Sequence, residues 1–149
     1  MMLLHASSAA RDGEAVLLLG PPGSGKSDLV LRLIDTGWSL VADDQVALRE
    51  EAGVLRPEAP ATLRGLLEVR GLGIFGPFPT AAAPVLRLVA RLLPRTAIAR
   101  LPEAESWAAE GVTLPSIPLH AFDASAPARL ALALDVTLGR RAQHAGAFA

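Results

Sequence analysis

The run Ala15-Val16-Leu17-Leu18-Leu19 leads directly into Gly20-Pro21-Pro22-Gly23-Ser24-Gly25-Lys26-Ser27, and the reading of these residues decides the fold. Five consecutive apolar residues suit a strand buried on both faces, the habit of parallel sheets. The next eight fit G-x-x-x-x-G-K-[ST], a loop whose backbone N–H groups converge on phosphate oxygens. Gly20, Gly23 and Gly25 can take φ > 0, which lets successive N–H groups point the same way. Ser27 then opens a helix, whose N-terminal dipole favours the same anion. Along it Leu29 and Leu33, and Val30 and Ile34, repeat at spacing four, and Gly37 supplies a stop. Lys26 is the only lysine; the other 13 of the 14 basic residues are arginines. Arginine serves as well as lysine on a solvated surface, but a tight phosphate loop needs a compact ammonium on a flexible stem. Residues Gly20, Pro21, Pro22, Gly23, Ser24, Gly25, Lys26 and Ser27 are therefore read as a nucleoside triphosphate site, with ATP as the nucleotide.

The chain has 149 residues, 51% of them hydrophobic, a net charge of −1 and a mean hydropathy of +0.38. These values suit one globular α/β domain with a single core, expected over residues 1–142. Residues 143–149 are expected to form a disordered tail. The basic residues are scattered, so no nucleic-acid partner is expected. Cysteine is absent, which excludes disulfides and thiolate metal sites. No apolar run approaches the ~20 residues of a membrane span, so no membrane association is expected. Met1 to His5 is too short and uncharged for a signal peptide. The expected location is the cytoplasm, where ATP and Mg²⁺ are available.

Beyond the first helix, Trp38 to Ala42 predicts a second strand ending at Asp43-Asp44. Ligands of open α/β sheets sit beyond the carboxyl ends of strands, which puts both aspartates on the phosphate-loop side. Val46 to Arg49 and Val54 to Arg56 predict a hairpin across Glu51-Ala52-Gly53. Pro60 to Leu67 has helical spacing at Leu63, Leu66 and Leu67. Glu68 to Phe75 is strand-like but interrupted by two glycines, and Phe75 to Pro84 reads as a mobile loop. Val85 to Leu92 alternates as a strand with an exposed face, and Ile98 to Leu101 could form another. Pro115 to Leu119 predicts an edge strand because of its two prolines. Ala128 to Leu138 predicts a final helix. The expected fold class is a mixed-sheet α/β domain built around a phosphate loop, with more hairpins than a doubly wound nucleotide kinase.

Glu68-Val69-Arg70-Gly71-Leu72-Gly73-Ile74 resembles the signature of the HPr(Ser) kinase/phosphorylase family, bacterial enzymes that phosphorylate a serine of the phosphocarrier protein HPr. The order of motifs is similar too: a histidine fifteen residues before Gly20, the phosphate loop, Ala42-Asp43-Asp44, then Glu-x-Arg-Gly-x-Gly. The resemblance extends from residue 5 to about residue 101 and is to the C-terminal catalytic domain, in the short form seen in alphaproteobacteria. It implies an HPr-kinase-like fold, ATP with Mg²⁺, HPr or an HPr-like carrier as partner, and a homo-oligomer, commonly a hexamer. It implies Asp44 as the base that takes the serine proton, with His5 tuning that proton. Ser27, Glu68 and Asp43 are implied as metal contacts, and Lys26, Arg70 and Arg100 as catalytic cations.

In two places the sequence departs from the family. The segment after Gly73 is shortened and rich in Pro and Ala. Where the family carries a Gly-Arg-Asn-like motif tied to dephosphorylation, this chain reads Pro118-Leu119-His120-Ala121-Phe122-Asp123. Kinase activity is therefore better supported than phosphorylase activity. His120 and His144 belong to no motif. Two other readings compete: a small-molecule kinase or general phosphate-loop NTPase, and a catalytically silent nucleotide-binding regulator. The first leaves Glu68-x-Arg70-Gly71 unexplained, and the second needs neither Asp44 nor Glu68.

Overall fold

The computed structural model describes residues 1–149. In chain order it has β1 (Met2–Leu4), β2 (Ser7–Arg11), β3 (Glu14–Leu19), α1 (Lys26–Asp35), β4 (Ser39–Ala42), β5 (Val46–Glu51), β6 (Val54–Glu58), β7 (Leu67–Val69), β8 (Gly73–Phe75), β9 (Val85–Leu92), β10 (Glu105–Ala109), β11 (Val112–Leu119) and α2 (Ala126–Thr137). Six strands form the main sheet in the order β10-β11-β9-β3-β2-β4. Its centre, β11-β9-β3, is parallel, while β2 and β10 run antiparallel to their neighbours. β1, β5 and β6 make a second, antiparallel sheet, and β7 with β8 a short hairpin.

β3 is apolar from Ala15 to Leu19 because both of its faces are covered there. Val16 and Leu18 pack with α1 and α2, including Leu29, Leu33, Leu130 and Leu134. Ala15 and Leu17 pack on the other side with Val46, Leu48 and Leu55 of the second sheet. α1 presents Leu29, Val30 and Leu33 to this core. It ends where Trp38 N–H donates to Leu33 O (3.1 Å) and Gly37 N–H to Ile34 O (3.0 Å). That pair of bonds is a Schellman closure, which needs the left-handed backbone of Gly37, at φ 101°.

Several expectations are corrected. Pro60 to Leu67 is not a helix. Only a 3₁₀ turn at Ala61–Leu63 forms, because Gly65 turns left-handed at φ 75° and Leu67 already belongs to β7. β9 is an interior strand, not one with an exposed face. Arg87 is passed over by a register shift against β3, and Arg87 and Arg91 pair with Glu14 and Glu105. β11 is not an edge either. Its β9 ladder begins at Ser116, after Pro115, and its β10 ladder ends at Ser116, before Pro118. Each proline therefore has a neighbour on one side only, where a missing N–H is tolerated. Ile98 to Leu101 is no strand; it follows a 3₁₀ turn at Arg95–Ala97 as irregular chain.

The Gly76–Pro84 segment has no helix or strand. It is tied to β4 by Leu40 N–H to Pro79 O and Ala81 N–H to Leu40 O, and by a bridge from Thr80 to Leu40. Residues 143–149 also form no regular element, and Ala147 and Phe148 lie against the α1–α2 side of the core. No helix is long and apolar enough to cross a membrane.

Candidate active site

β3 and β4 both point their carboxyl ends to one edge of the main sheet, since each is antiparallel to the intervening β2. The phosphate loop leaves β3 at that edge, and Asp43-Asp44 leave β4 beside it. Between them lies a cleft of about 370 Å³, lined among others by His5, Ser7, Gly23, Lys26, Ser27, Asp44, Glu68 and Arg70. The sequence scatters these residues over more than sixty positions; the topology gathers them.

The loop closes with Ser24 N–H donating to Pro21 O at 3.1 Å. Gly25 caps α1 in the left-handed region, at φ 97°. Gly20 is not left-handed. It is crowded instead: a Cβ there would meet Ser24 Oγ at 2.4 Å, Ser24 Cβ at 3.0 Å and Leu92 Cβ at 3.1 Å. Lys26 is 8% exposed, and its Nζ donates to Gly20 O (2.7 Å) and Pro21 O (3.1 Å). An ammonium has three donors, so one remains for an anion in the cleft. Burial lowers the Lys26 pKa below its ordinary 10.5, while the charges of Asp44 and Asp43 oppose that shift.

Asp43 and Asp44, adjacent in sequence, face different surroundings. Asp43 is buried, at 6% exposure. Its Oδ1 accepts from Ser7 Oγ (2.8 Å) and Ser27 Oγ (2.7 Å), and its Oδ2 faces the Glu68 N–H at 3.4 Å. It is not among the residues that line the cleft and lies directly behind Ser27. Asp44 turns the other way because its backbone is left-handed, at φ 69°, a conformation Asp tolerates better than most residues. Its carboxylate lies 3.5 Å from His5 Nδ1, with both side chains more than half exposed. An exposed pair of this kind adds at most about 1 kcal/mol to stability, so it contributes little to folding.

Glu68 and Arg70 reach the cleft from β7 and the turn that follows it. Arg100 does not. It lines a separate hollow of about 660 Å³ with Arg95, Asp123 and Arg129, between α2, the last residues and the segment after β9. The segment that follows the 3₁₀ turn at Arg95–Ala97 lines this hollow together with Arg129, Leu132, Ala133 and Val136 of α2. Sequence reasoning missed Ser7, which joins the Asp43 carboxylate to the Asp44 N–H (3.4 Å). No sequence signal marks it, because a serine in a strand of small residues looks like packing.

The residues fit Mg²⁺ without a dense carboxylate cluster. No group of three or more His, Cys, Asp or Glu side chains converges. Mg²⁺ on a nucleotide takes only one or two protein ligands and completes its shell with phosphates and water. Ser27 directs its hydroxyl proton onto Asp43, which leaves its oxygen lone pairs for a cation, and Glu68 lines the same cleft.

Known proteins resemble this chain in sequence and in fold. A family model described as the HPr serine kinase C-terminal domain matches residues 3–77, half of the chain. The HPr kinase/phosphorylase of Bordetella pertussis is 45% identical over 92 residues, covering 57% of this chain and 30% of the relative. That of Clostridium novyi is 50% identical over 62 residues, covering 42% of this chain and 20% of the relative. The matched part is thus less than a third of the length of these relatives. A solved structure of the Hpr(Ser) kinase/phosphatase from Coxiella burnetii superposes with a TM-score of 0.81 at 25% identity, covering 93% of this chain and 92% of that one. With its fold, phosphate loop and Glu-x-Arg-Gly-x-Gly hairpin matched together, the chain belongs to the HPr serine kinase C-terminal domain family.

Proposed function

We propose that this chain is an ATP- and Mg²⁺-dependent protein-serine kinase, acting on HPr or an HPr-like phosphocarrier in regulation of the phosphotransferase system. The observation that carries this reading is the His5–Asp44 pair at 3.5 Å, in the same cleft as Lys26. A phosphate loop alone would suit any nucleotide-binding protein. An acceptor for a hydroxyl proton beside that loop suits transfer to an alcohol.

The roles follow from position. Lys26 and the loop N–H groups hold the β- and γ-phosphates. Ser27 and Glu68 would hold Mg²⁺, which would supply positive charge to neutralise the phosphates. Asp43 fixes the Ser27 hydroxyl by accepting its proton in a hydrogen bond. The acceptor serine Oγ attacks the γ-phosphorus, the bond to the ADP oxygen breaks, and the serine proton passes to Asp44. His5 keeps that carboxylate oriented, and Arg70 offers a guanidinium to phosphate oxygens. In phosphorolysis an oxygen of inorganic phosphate attacks the seryl-phosphate phosphorus, the bond to serine Oγ breaks, pyrophosphate leaves, and Asp44 passes the proton released by the attacking phosphate to the serine. Incubation of purified HPr with Mg-ATP should add one phosphoryl group, mapped to serine by mass spectrometry. An unchanged HPr mass would contradict the reading. We also propose, from family resemblance, that the chain assembles as a homo-oligomer; light scattering of the purified protein checks this.

Two further outcomes test the site. Glu68→Gln should raise the Mg²⁺ concentration for half-maximal activity about tenfold or more, the scale seen when metal-site residues are altered. Unchanged metal dependence would remove Glu68 from the site. Lys26 should also make ATP binding sensitive to alkaline pH. An anion binds the charged ammonium, so affinity should stay constant through neutral pH. It should fall as pH rises through a Lys26 pKa that burial has lowered. A calorimetric profile that stays flat into the ordinary lysine range would contradict this.

A further inference from the structure

We propose that Phe122 is the stacking platform for the nucleobase of the bound nucleotide. The proposal rests on the phosphate-loop reading above and adds to it the place of the base and the way it is recognised. The direction of the nucleotide follows from the sheet order. The phosphoryl group to be transferred must reach Asp44, which lies past β4, two strands from β3 on one side. A triphosphate is an unbranched chain, and with its γ end toward Asp44 its nucleoside end is placed on the other side of the loop, toward β9 and β11. The loop that follows β11 carries Phe122, and its ring lines the same cleft as Lys26 and Asp44.

Phe122 is 55% exposed and borders the phosphate loop closely: a Cβ on Gly25 would lie 3.0 Å from Phe122 Cζ. A single exposed phenylalanine is ordinary. The bracing of this one is not. Arg32 of α1 donates to Ala121 O and, at 3.2 Å, to Asp123 O, gripping the backbone on both sides of the ring. The Asp123 carboxylate accepts from Arg95 and from Arg129 of α2. His120 Nδ1 lies 2.9 Å from Leu93 O, and the His120 ring meets Phe122 edge-on, with centroids 5.9 Å apart at 69°. Three arginines and a histidine thus hold an apolar ring in solvent beside an anion-binding loop. Such a ring offers its face to a base and reads no base edge, so the site takes purine nucleoside triphosphates with little discrimination between them.

The test is calorimetric binding of Mg-ATP, Mg-GTP and Mg-tripolyphosphate to the full chain and its variants, with thermal unfolding as a check on folding. Wild type should bind ATP about tenfold more tightly than tripolyphosphate, the scale of one stacked base, and ATP and GTP within a few-fold of each other. Phe122→Leu should lose the preference for ATP while tripolyphosphate affinity stays unchanged, and Phe122→Trp should retain it. A Phe122→Leu variant that keeps the ATP preference overturns the proposal. So does one that loses both ligands equally, because a platform acts on the base alone. Lys26→Ala should weaken both ligands; if it weakens neither, the phosphate-loop reading falls and the platform with it.

Discussion

Lys26→Ala should abolish phosphoryl transfer while leaving the fold intact. Lys26 Nζ is anchored on Gly20 O and Pro21 O, with one donor left for the phosphates. Truncation removes the only ammonium at the point where γ-phosphate charge builds, and electrostatic terms of this kind are the main contribution a protein makes to phosphoryl transfer. Loss of one preorganised donor in a comparable role costs ~10²–10³ in rate. A full point charge in a buried setting should cost no less. Lys26→Arg should be nearly as poor, because a planar fork cannot enter a loop shaped around a point charge. The checks are turnover under saturating ATP and the melting temperature of each variant. Turnover at the wild-type level in Lys26→Ala would remove the loop from catalysis.

Asp44→Asn should lower the rate by about 10²–10⁴, the usual contribution of a general base, with ATP affinity nearly unchanged. The substitution preserves shape and the left-handed backbone that Asn also tolerates, and it removes the acceptor for the serine proton. Binding and rate must be measured separately. A collapse of ATP affinity with a normal maximal rate would place Asp44 on the metal instead. Any phosphorolysis should fall in parallel, since the group that accepts a proton forward must donate it in reverse. The contrast with Asp43→Asn is informative. Asp43 holds Ser27 and Ser7 from a buried position, so its loss should shift metal dependence and stability as well as rate.

Local chemistry made the phosphate loop, α1 and the β5–β6 hairpin legible, because each is written in consecutive residues. An apolar run, glycines at turning points and a spacing of four need no tertiary information. The β2–β3 and β10–β11 hairpins also carried a signal, in Asp12-Gly13 and Glu110-Gly111. Both pairs have positive φ in the structure, as two-residue hairpin turns require. The first is hard to read because Ser7 to Ala10 lacks the branched and aromatic residues that mark strands. β9 misled because Arg87 and Arg91 look like a solvent face, and only the acids of β3 and β10 reveal them as paired. β11 misled because two prolines argue for an edge, and only the offset of its two ladders shows how an inner strand accommodates them.

The site divides in the same way. Lys26, Ser27, Asp44, Glu68, Arg70 and His5 were named from motifs, and the fold brings all six to one cleft. The resemblance gave the neighbours Asp43 and Asp44 different roles, and the positive φ at Asp44 is what turns them toward different surroundings. Arg100 was placed by the family resemblance, on few residues, and lies in another hollow. Phe122 stood in a segment that fits no motif, and its use emerges only from what braces it.

The most direct measurement is transfer of label from γ-labelled ATP, with Mg²⁺, to purified HPr. It is run beside HPr whose acceptor serine is alanine and beside a reaction without carrier. The expected result is label on the serine carrier alone, lost in Asp44→Asn. Label on the alanine carrier, release as free phosphate at an equal rate without carrier, or no transfer at all would contradict a protein-serine kinase built on the His5–Asp44 pair.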